Sequence, residues 1–325
     1  MNLFKKLSVL AVVWTFGLVV LGAYVRLSNA GLGCPDWPGC YGHPTPVHAI
    51  GEISAAQAQS PTGPVSLDKA WKEMVHRYVA GGLGLLVVIL AALAIKHRDR
   101  LRQSPALPVA VFFLICLQGA FGAWTVTMKL RPAIVTGHLL FGLSTLALLV
   151  WSALRQREWA PLRSGASFRP YAMLGLLIVI AQIMLGGWVS TNYAALVCSD
   201  FPTCQGALVP AMDFHDGFSL LRELGKAPDG HMLTLANLTA IHWLHRLGAL
   251  ITFCYLSWLA MRLYRAHVLR SLALAVLFAL LLQVSLGIGN VLLQLPLPVA
   301  VLHNAGAALL LSLMVAMNFR LARVR

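Results

Sequence analysis

Long apolar runs dominate the chain, broken by short basic turns and by two long polar stretches at about residues 28–73 and 192–237. Eight runs are long enough for a helix that crosses a bilayer, at about residues 8–27, 74–95, 107–127, 133–154, 170–191, 238–262, 270–292 and 298–319. Such a helix needs about 20 mostly apolar residues. Its backbone polar groups find no partner in hydrocarbon, so they must pair within the segment. The pattern predicts an all-α integral membrane protein with eight transmembrane helices. The first run follows Lys5 and Lys6 like a signal peptide, but it is long and has no early small-residue cleavage site, so it reads as a retained anchor.

The polar positions repeat. Residues 21–40 read LGAYVRLSNAGLGCPDWPGC and residues 185–204 read LGGWVSTNYAALVCSDFPTC, identical at nine of twenty positions with an offset of 164. The match continues: MVHRYVAGGLG around His76 and Arg77 aligns with WLHRLGALI around His245 and Arg246 at offset 169, and LQGAFG from Leu117 aligns with LQVSLG from Leu282 at offset 165. The last register carries His138 onto His303. Self-similarity on this scale marks a duplicated unit. It predicts two pseudo-symmetric four-helix bundles, residues 1–163 and 164–325. An even number of spans per unit inserts both in one orientation, with the pseudo-two-fold axis along the membrane normal.

Composition agrees with the membrane assignment, since 58% of residues are hydrophobic and 11% charged, against about 25% charged in soluble domains. The formal net charge of +14 raises the question of nucleic acid, and its distribution answers it. Basic residues cluster in the inter-run segments on the N-terminal side: Lys5 and Lys6; Lys96, Arg98, Arg100 and Arg102; Arg155, Arg157, Arg163 and Arg169; Arg262, Arg265 and Arg270; Arg320, Arg323 and Arg325. Of the acidic residues only Asp99 and Glu158 fall there. This is the positive-inside bias of a membrane protein, not a nucleic-acid patch. It places both termini in the cytoplasm and both long loops in the periplasm of a bacterial inner membrane.

That topology puts Cys34 with Cys40, and Cys198 with Cys204, in an oxidising compartment, each pair with C-x5-C spacing. Structural disulfides are the simpler reading. Thiol–disulfide exchange is the sharper one, and it usually wants C-x-x-C and a depressed thiol pKa. Cys116 and Cys254 fall inside spans and read as packing residues.

The candidate chemistry lies in the even-numbered spans. All four enter from the periplasmic side, and each carries a histidine near its start: His76, His138, His245 and His303. One histidine at a span end is ordinarily an interfacial residue that snorkels to water. Four at one depth, paired by the repeat, point to axial ligation of haem iron by neutral imidazoles from facing helices. Arg77, Arg246, Lys129 and Arg131 are candidate partners for propionates. The other histidines have no repeat partner; His43, His48, His215 and His231 read as solvated loop residues, and His97 and His267 as interfacial ones. No C-x-x-C-H is present, so covalent c-type haem is not expected.

The duplicated units differ at one informative place. Glu73 stands three residues before His76, where the second unit has His242 before His245. Positions three apart share a helix face, so Glu73 is a candidate to look at whatever His76 binds. Its bland alternative is a carboxylate favoured by the helix start. His242 competes with His245 as the ligand of its unit, and the shared following arginine favours His245.

Together these residues resemble the haem A synthases over nearly the whole chain. The most specific motifs are E-x-x-H at Glu73/His76, V-T-G-H-L at His138, L-H-R at His245, L-H-N at His303, and R-L-S-N-A-G-L-G-C-P-D-W-P-x-C from Arg26 to Cys40. The resemblance implies oxidation of the C8 methyl group of haem O to a formyl group, through successive hydroxylations and loss of water, yielding haem A for cytochrome c oxidase. It implies that His76 and His138 hold the substrate, that His245 and His303 ligate a haem b, and that Glu73 is the catalytic carboxylate. It gives the Cys34–Cys40 pair a role in shaping the pocket or accepting electrons, and leaves Cys198–Cys204 structural. Expected partners are the lipid bilayer, an electron donor, haem O synthase or oxidase assembly factors, and a second copy in a homo-oligomer; nucleic acid is not among them. The rival readings are a dihaem b-type cytochrome without catalysis and a parallel-repeat transporter, the latter poorly served by spans whose polar residues are mainly Gln118, Gln182 and Gln283.

Overall fold

Nine helices form among the described residues of the computed structural model: α1 Asn2–Leu27, α2 Ile50–Gln59, α3 Leu67–Lys96, α4 Ala106–Thr127, α5 Pro132–Arg155, α6 Arg169–Thr191, α7 Leu235–Arg265, α8 Arg270–Leu292 and α9 Leu297–Leu321. The structure describes residues 2–101, 104–160, 162 and 164–323. Arg102, Arg163 and Arg325 of the basic clusters lie outside the described residues, as does the Arg163 side of the expected unit boundary. All the helices except α2 are long and apolar enough to cross a membrane. α2 is a short helix inside the first long loop that the hydrophobic pattern did not announce.

Local chemistry explains where the helices begin. α3 starts seven residues before the apolar run, because Ser66 accepts from the Lys69 backbone N–H at 3.3 Å and caps a polar first turn. α7 starts at a capping box, in which the Thr234 hydroxyl accepts from Asn237 N–H and Asn237 reaches back to the Thr234 backbone. Proline occupies the first turn of α5, α6 and α9, where its missing N–H costs nothing.

The helices pack with a repeated neighbour relation. α1 meets α3 and α5, and α3 and α5 both meet α4; likewise α6 meets α7 and α9, and α7 and α9 both meet α8. Across the middle, α1 meets α9, α5 meets α6, and α5 meets α9. Every contact of one set therefore has its counterpart under the exchange α1↔α6, α3↔α7, α4↔α8, α5↔α9. The largest buried cluster, including Leu146, Leu256, Leu259, Leu263, Met314 and Met317, draws on α5 to α9. Lipid tails are as apolar as leucine, so such contacts hold helices together through close packing and the occasional hydrogen bond. One such bond runs from Asn318 Nδ2 on α9 to the Ala172 carbonyl on α6, at 3.0 Å.

Both cysteine loops are built alike. Disulfides join Cys34 to Cys40 and Cys198 to Cys204. Cys40 and His43 exchange backbone hydrogen bonds of 2.8 and 3.0 Å, and Cys204 and Ala207 do so at 2.8 and 3.2 Å. Inside each loop an aspartate accepts from the tip: Asp36 from Tyr41 and Gly42 N–H at 2.7 Å, Asp200 from Gln205 and Gly206 N–H at 2.7 and 2.9 Å. Gly42 and Gly206, at φ 74° and 77°, take a left-handed conformation that side chains disfavour.

Candidate functional site: paired imidazoles and a cavity

Each of the four histidines rests on a glycine of the preceding spanning helix. A Cβ at Gly22 would stand 3.0 Å from Cε1 of His76, and one at Gly122 3.3 Å from Cε1 of His138. At Gly186 and Gly287 the corresponding distances to His245 and His303 are both 3.0 Å. A hydrogen in place of a methyl lets each ring lie against the neighbouring backbone. His138 and His76 lie within electrostatic range of one another, and so do His245 and His303. Thus the structure brings the four residues together in two pairs.

Three of the four rings also meet a glutamine one turn from the glycine. Gln118 Nε2 lies 3.4 Å from His138 Nε2 and donates to the His138 carbonyl at 2.9 Å. Gln182 Nε2 lies 3.0 Å from both His245 Nδ1 and the His245 carbonyl. Gln283 Nε2 is 3.4 Å from His303 Nε2, while His303 Nδ1 lies 3.2 Å from the Gln283 carbonyl. At the fourth ring, His76, the matching position is Leu18. These glutamines and glycines were missed as site residues, although Q-x-x-x-G recurs visibly at 118–122, 182–186 and 283–287.

Glu73 is buried at 5% exposure, and its two oxygens are engaged. Oε2 accepts from the Cys34 backbone N–H at 3.0 Å, and Oε1 pairs with the Arg77 guanidinium. Arg77 also donates to the Gly39 carbonyl at 2.5 Å and the Pro38 carbonyl at 3.2 Å. Arg246 does the same on its side, donating to Thr203 at 2.7 Å and Cys198 at 2.9 Å, and its buried Nε has no partner. Both arginines therefore hold down a cysteine loop. His242, 4% exposed, points its Nδ1 at the Ala194 carbonyl, 2.8 Å away. The geometry groups His245, not His242, with His303.

A cavity of about 1270 Å³ opens beside the first pair. His76, His138, Glu73, Arg77, Arg26 and Gln118 all line it, and the cysteine loop covers it with Trp37, Pro38 and Gly39. Its volume exceeds the roughly 300–1,000 Å³ of ordinary ligand pockets. Within it the buried Nδ1 atoms of His76 and His138 have no hydrogen-bond partner, an uncommon state for a buried nitrogen.

Of the remaining candidates, His43 and Cys116 also line the cavity, and the others lie outside it. Lys129 and Arg131 lie within electrostatic range of Glu223 in the second long loop. His43 is 3.7 Å from Glu52, His48 is 2.7 Å from Thr45 Oγ1, and His215 and His231 approach Asp216. Among the described residues no group of three or more His, Cys, Asp or Glu side chains is disposed to hold a metal ion by itself. Cys116 and Cys254 are free and exposed on the helix surfaces, not packed inside as their position within spans suggested.

A family model described as COX15-CtaA, cytochrome oxidase assembly protein, matches residues 5–315. The chain is 46% identical over 316 residues to a protein of Shewanella oneidensis named "Heme A synthase", covering 95% of this chain and 94% of that one. A protein of the same name from Caulobacter vibrioides is 28% identical over 331 residues, covering 95% and 93%. One from Alkalihalophilus pseudofirmus is 29% identical over 220 residues, covering 64% and 67%. With eight apolar spans and this kinship, the molecule is a multi-pass membrane protein, and the chain belongs to the COX15-CtaA family of cytochrome oxidase assembly proteins.

Proposed function

We propose that this chain oxidises the C8 methyl group of haem O to a formyl group, giving haem A. The observation that carries the reading is the cavity beside His76 and His138, which gathers two imidazoles with unpartnered Nδ1 atoms and a buried carboxylate in one apolar chamber; the relatives named "Heme A synthase" give the chemistry its direction. Neutral imidazole suits haem iron, and the volume suits a substituted porphyrin. In this reading residues 1–163 form the substrate unit and residues 164–325 hold a haem b.

His76 and His138 would hold the substrate from two sides and fix which edge of the ring meets Glu73. Glu73 is placed to take or return a proton, and general acid–base groups contribute typically ~10²–10⁴-fold. Arg77 keeps the Glu73 carboxylate oriented and seals the cysteine loop over the chamber, which keeps water out. Arg77 and Arg246 would be the cationic partners of the propionates. In the second unit, His303 Nδ1 faces a backbone carbonyl. A donor hydrogen bond there would fix the tautomer and leave Nε2, which Gln283 Nε2 faces at 3.4 Å, as the atom to hold the iron. His245 would be the second residue to hold the haem b, while His242 secures the loop through the Ala194 carbonyl. When bound, haem b supplies reversible one-electron transfer, and the protein sets its axial ligands and surroundings. Following the positive-inside bias, both termini are cytoplasmic, the long loops are periplasmic and the host membrane is the bacterial inner membrane. The substrate comes from a haem O synthase and the product leaves for the oxidase.

The test is to extract the haems of cells with and without the gene. Loss of haem A with accumulation of haem O is the expected result. Unchanged haems with altered electron flow would replace the synthase reading with that of a dihaem cytochrome.

A further inference from the structure

The chamber does not end at the imidazoles. From His76 it runs inward along α3 past Ala80, Gly81 and Gly84 to Val88, and along α4 from Gly122 past Gly119 and Cys116 to Phe112. Twelve residues of α3 at 1.5 Å per residue make a slot about 18 Å long, comparable with half of a ~30 Å hydrocarbon core. Gly81 on α3 and Gly119 and Cys116 on α4 line the cavity and are exposed, so the slot runs between these two helices. A Cβ built at Gly81, Gly84 or Gly119 would have no atom within 4 Å. These glycines therefore serve no close helix contact. They hold space open.

The duplicated unit carries larger side chains at the same seam. Gly81, Gly84 and Gly119 align with Leu250, Phe253 and Val284, and Cys116 aligns with Leu281. All four positions are enlarged in the unit whose imidazoles are secured by glutamines. The seam leads to the buried, unpartnered Nδ1 atoms of His76 and His138, so it is continuous with the first imidazole pair.

We infer that the α3–α4 slot is a binding site for the long isoprenoid side chain of the substrate, and the lateral route by which substrate and product pass between the chamber and the bilayer. This rests on the functional reading above and adds to it where the tail lies. The slot is lined by apolar groups and empties into lipid, so a tail moving from bilayer to slot exchanges one apolar surrounding for another. The slot therefore selects by room rather than by hydrophobic gain. A haem without the tail should bind equally well whether the slot is open or filled.

The test uses the full-length protein in detergent, titrated with haem O and with haem b and followed by the His76-dependent part of the Soret band. Gly119→Val and Gly84→Phe, which install the residues of the other unit, should weaken haem O binding at least tenfold and leave haem b binding unchanged. On the unaltered protein, haem O but not haem b should protect Cys116 from N-ethylmaleimide, with Cys254 as the unprotected control. Equal weakening of both haems, or protection of Cys116 by neither or by both, overturns the slot while leaving the functional reading in place. Absence of any His76-dependent band in the unaltered protein overturns the functional reading and the slot with it.

Discussion

His245 and His76 occupy the same place in the duplicated chain, yet their surroundings differ in kind. Around His245 the neighbouring helix α6 offers Gln182 and the glycine seat at Gly186, and α7 and α8 carry the larger side chains Leu250, Phe253 and Val284. His76 has the same glycine seat at Gly22, but Leu18 replaces the glutamine, glycines line the seam, and a 1270 Å³ chamber stands beside it. One environment suits a group that stays and the other a group that comes and goes. Duplication supplies two imidazole clamps. In the proposed reading, loss of one amide contact and of several side chains turns one of them into an exchange site.

The largest effect expected from breaking this comparison is at the clamps themselves. His76→Ala should abolish haem O conversion while a haem b spectrum survives, and His303→Ala should remove the haem b spectrum, each by more than ~100-fold in haem retention, since even indirect partners of a ligand matter 10–100-fold. Pyridine haemochrome spectra of the two purified variants check it, and loss of both haems in either variant would break the division of labour. Next comes Glu73→Gln, which keeps the shape but removes the proton carrier. Conversion should fall ~10²–10⁴-fold with haem O still bound. If turnover falls only in step with thermal stability, Glu73 is a loop anchor like its counterpart His242, whose change to Ala should leave turnover nearly intact.

Smaller effects sharpen the comparison. Gln182→Leu should weaken haem b retention ~10-fold, and Leu18→Gln should do the reverse at the first clamp, holding haem more tightly and slowing release of product. Haem off-rates in detergent measure both; unchanged off-rates would deny the glutamines their positioning role. The smallest effect is at the loop tips. Hydrogen bonds from Thr203, Gly206 and Gln205 hold Asp200 down at a pKa of about 2. Its folded value lies below the ordinary ~3.9 of an unfolded chain, so its contribution to loop order is complete above about pH 4 and is lost as pH falls through about 2. Asp200→Asn should loosen the second cysteine loop at neutral pH, seen as faster reduction of Cys198–Cys204, with little change in turnover.

The eight helices, their order and the duplication were all legible in the chain, because the need to bury a backbone in hydrocarbon writes itself as uninterrupted apolar runs and a copied unit writes itself twice. The four histidines were legible for the same reason, each standing near the start of an even run. The sequence also made Q-x-x-x-G visible three times without saying what it was for. Only the packing of α4 on α5, α6 on α7 and α8 on α9 set those glutamines against imidazoles, and only the packing of α1 on α3 set Leu18 in the remaining place. The two arginines after His76 and His245 read as propionate partners from position alone, while the fold spends much of their hydrogen-bonding capacity on loop carbonyls. α2 escaped notice because a ten-residue amphipathic segment carries little signal until something covers one face of it. The chain by itself determined which segments cross the membrane and which residues repeat, since both depend on local composition. Which side chains touch, and which of two equivalent sites stays open, the tertiary structure decided, because contact and empty space arise between helices that the sequence sets far apart.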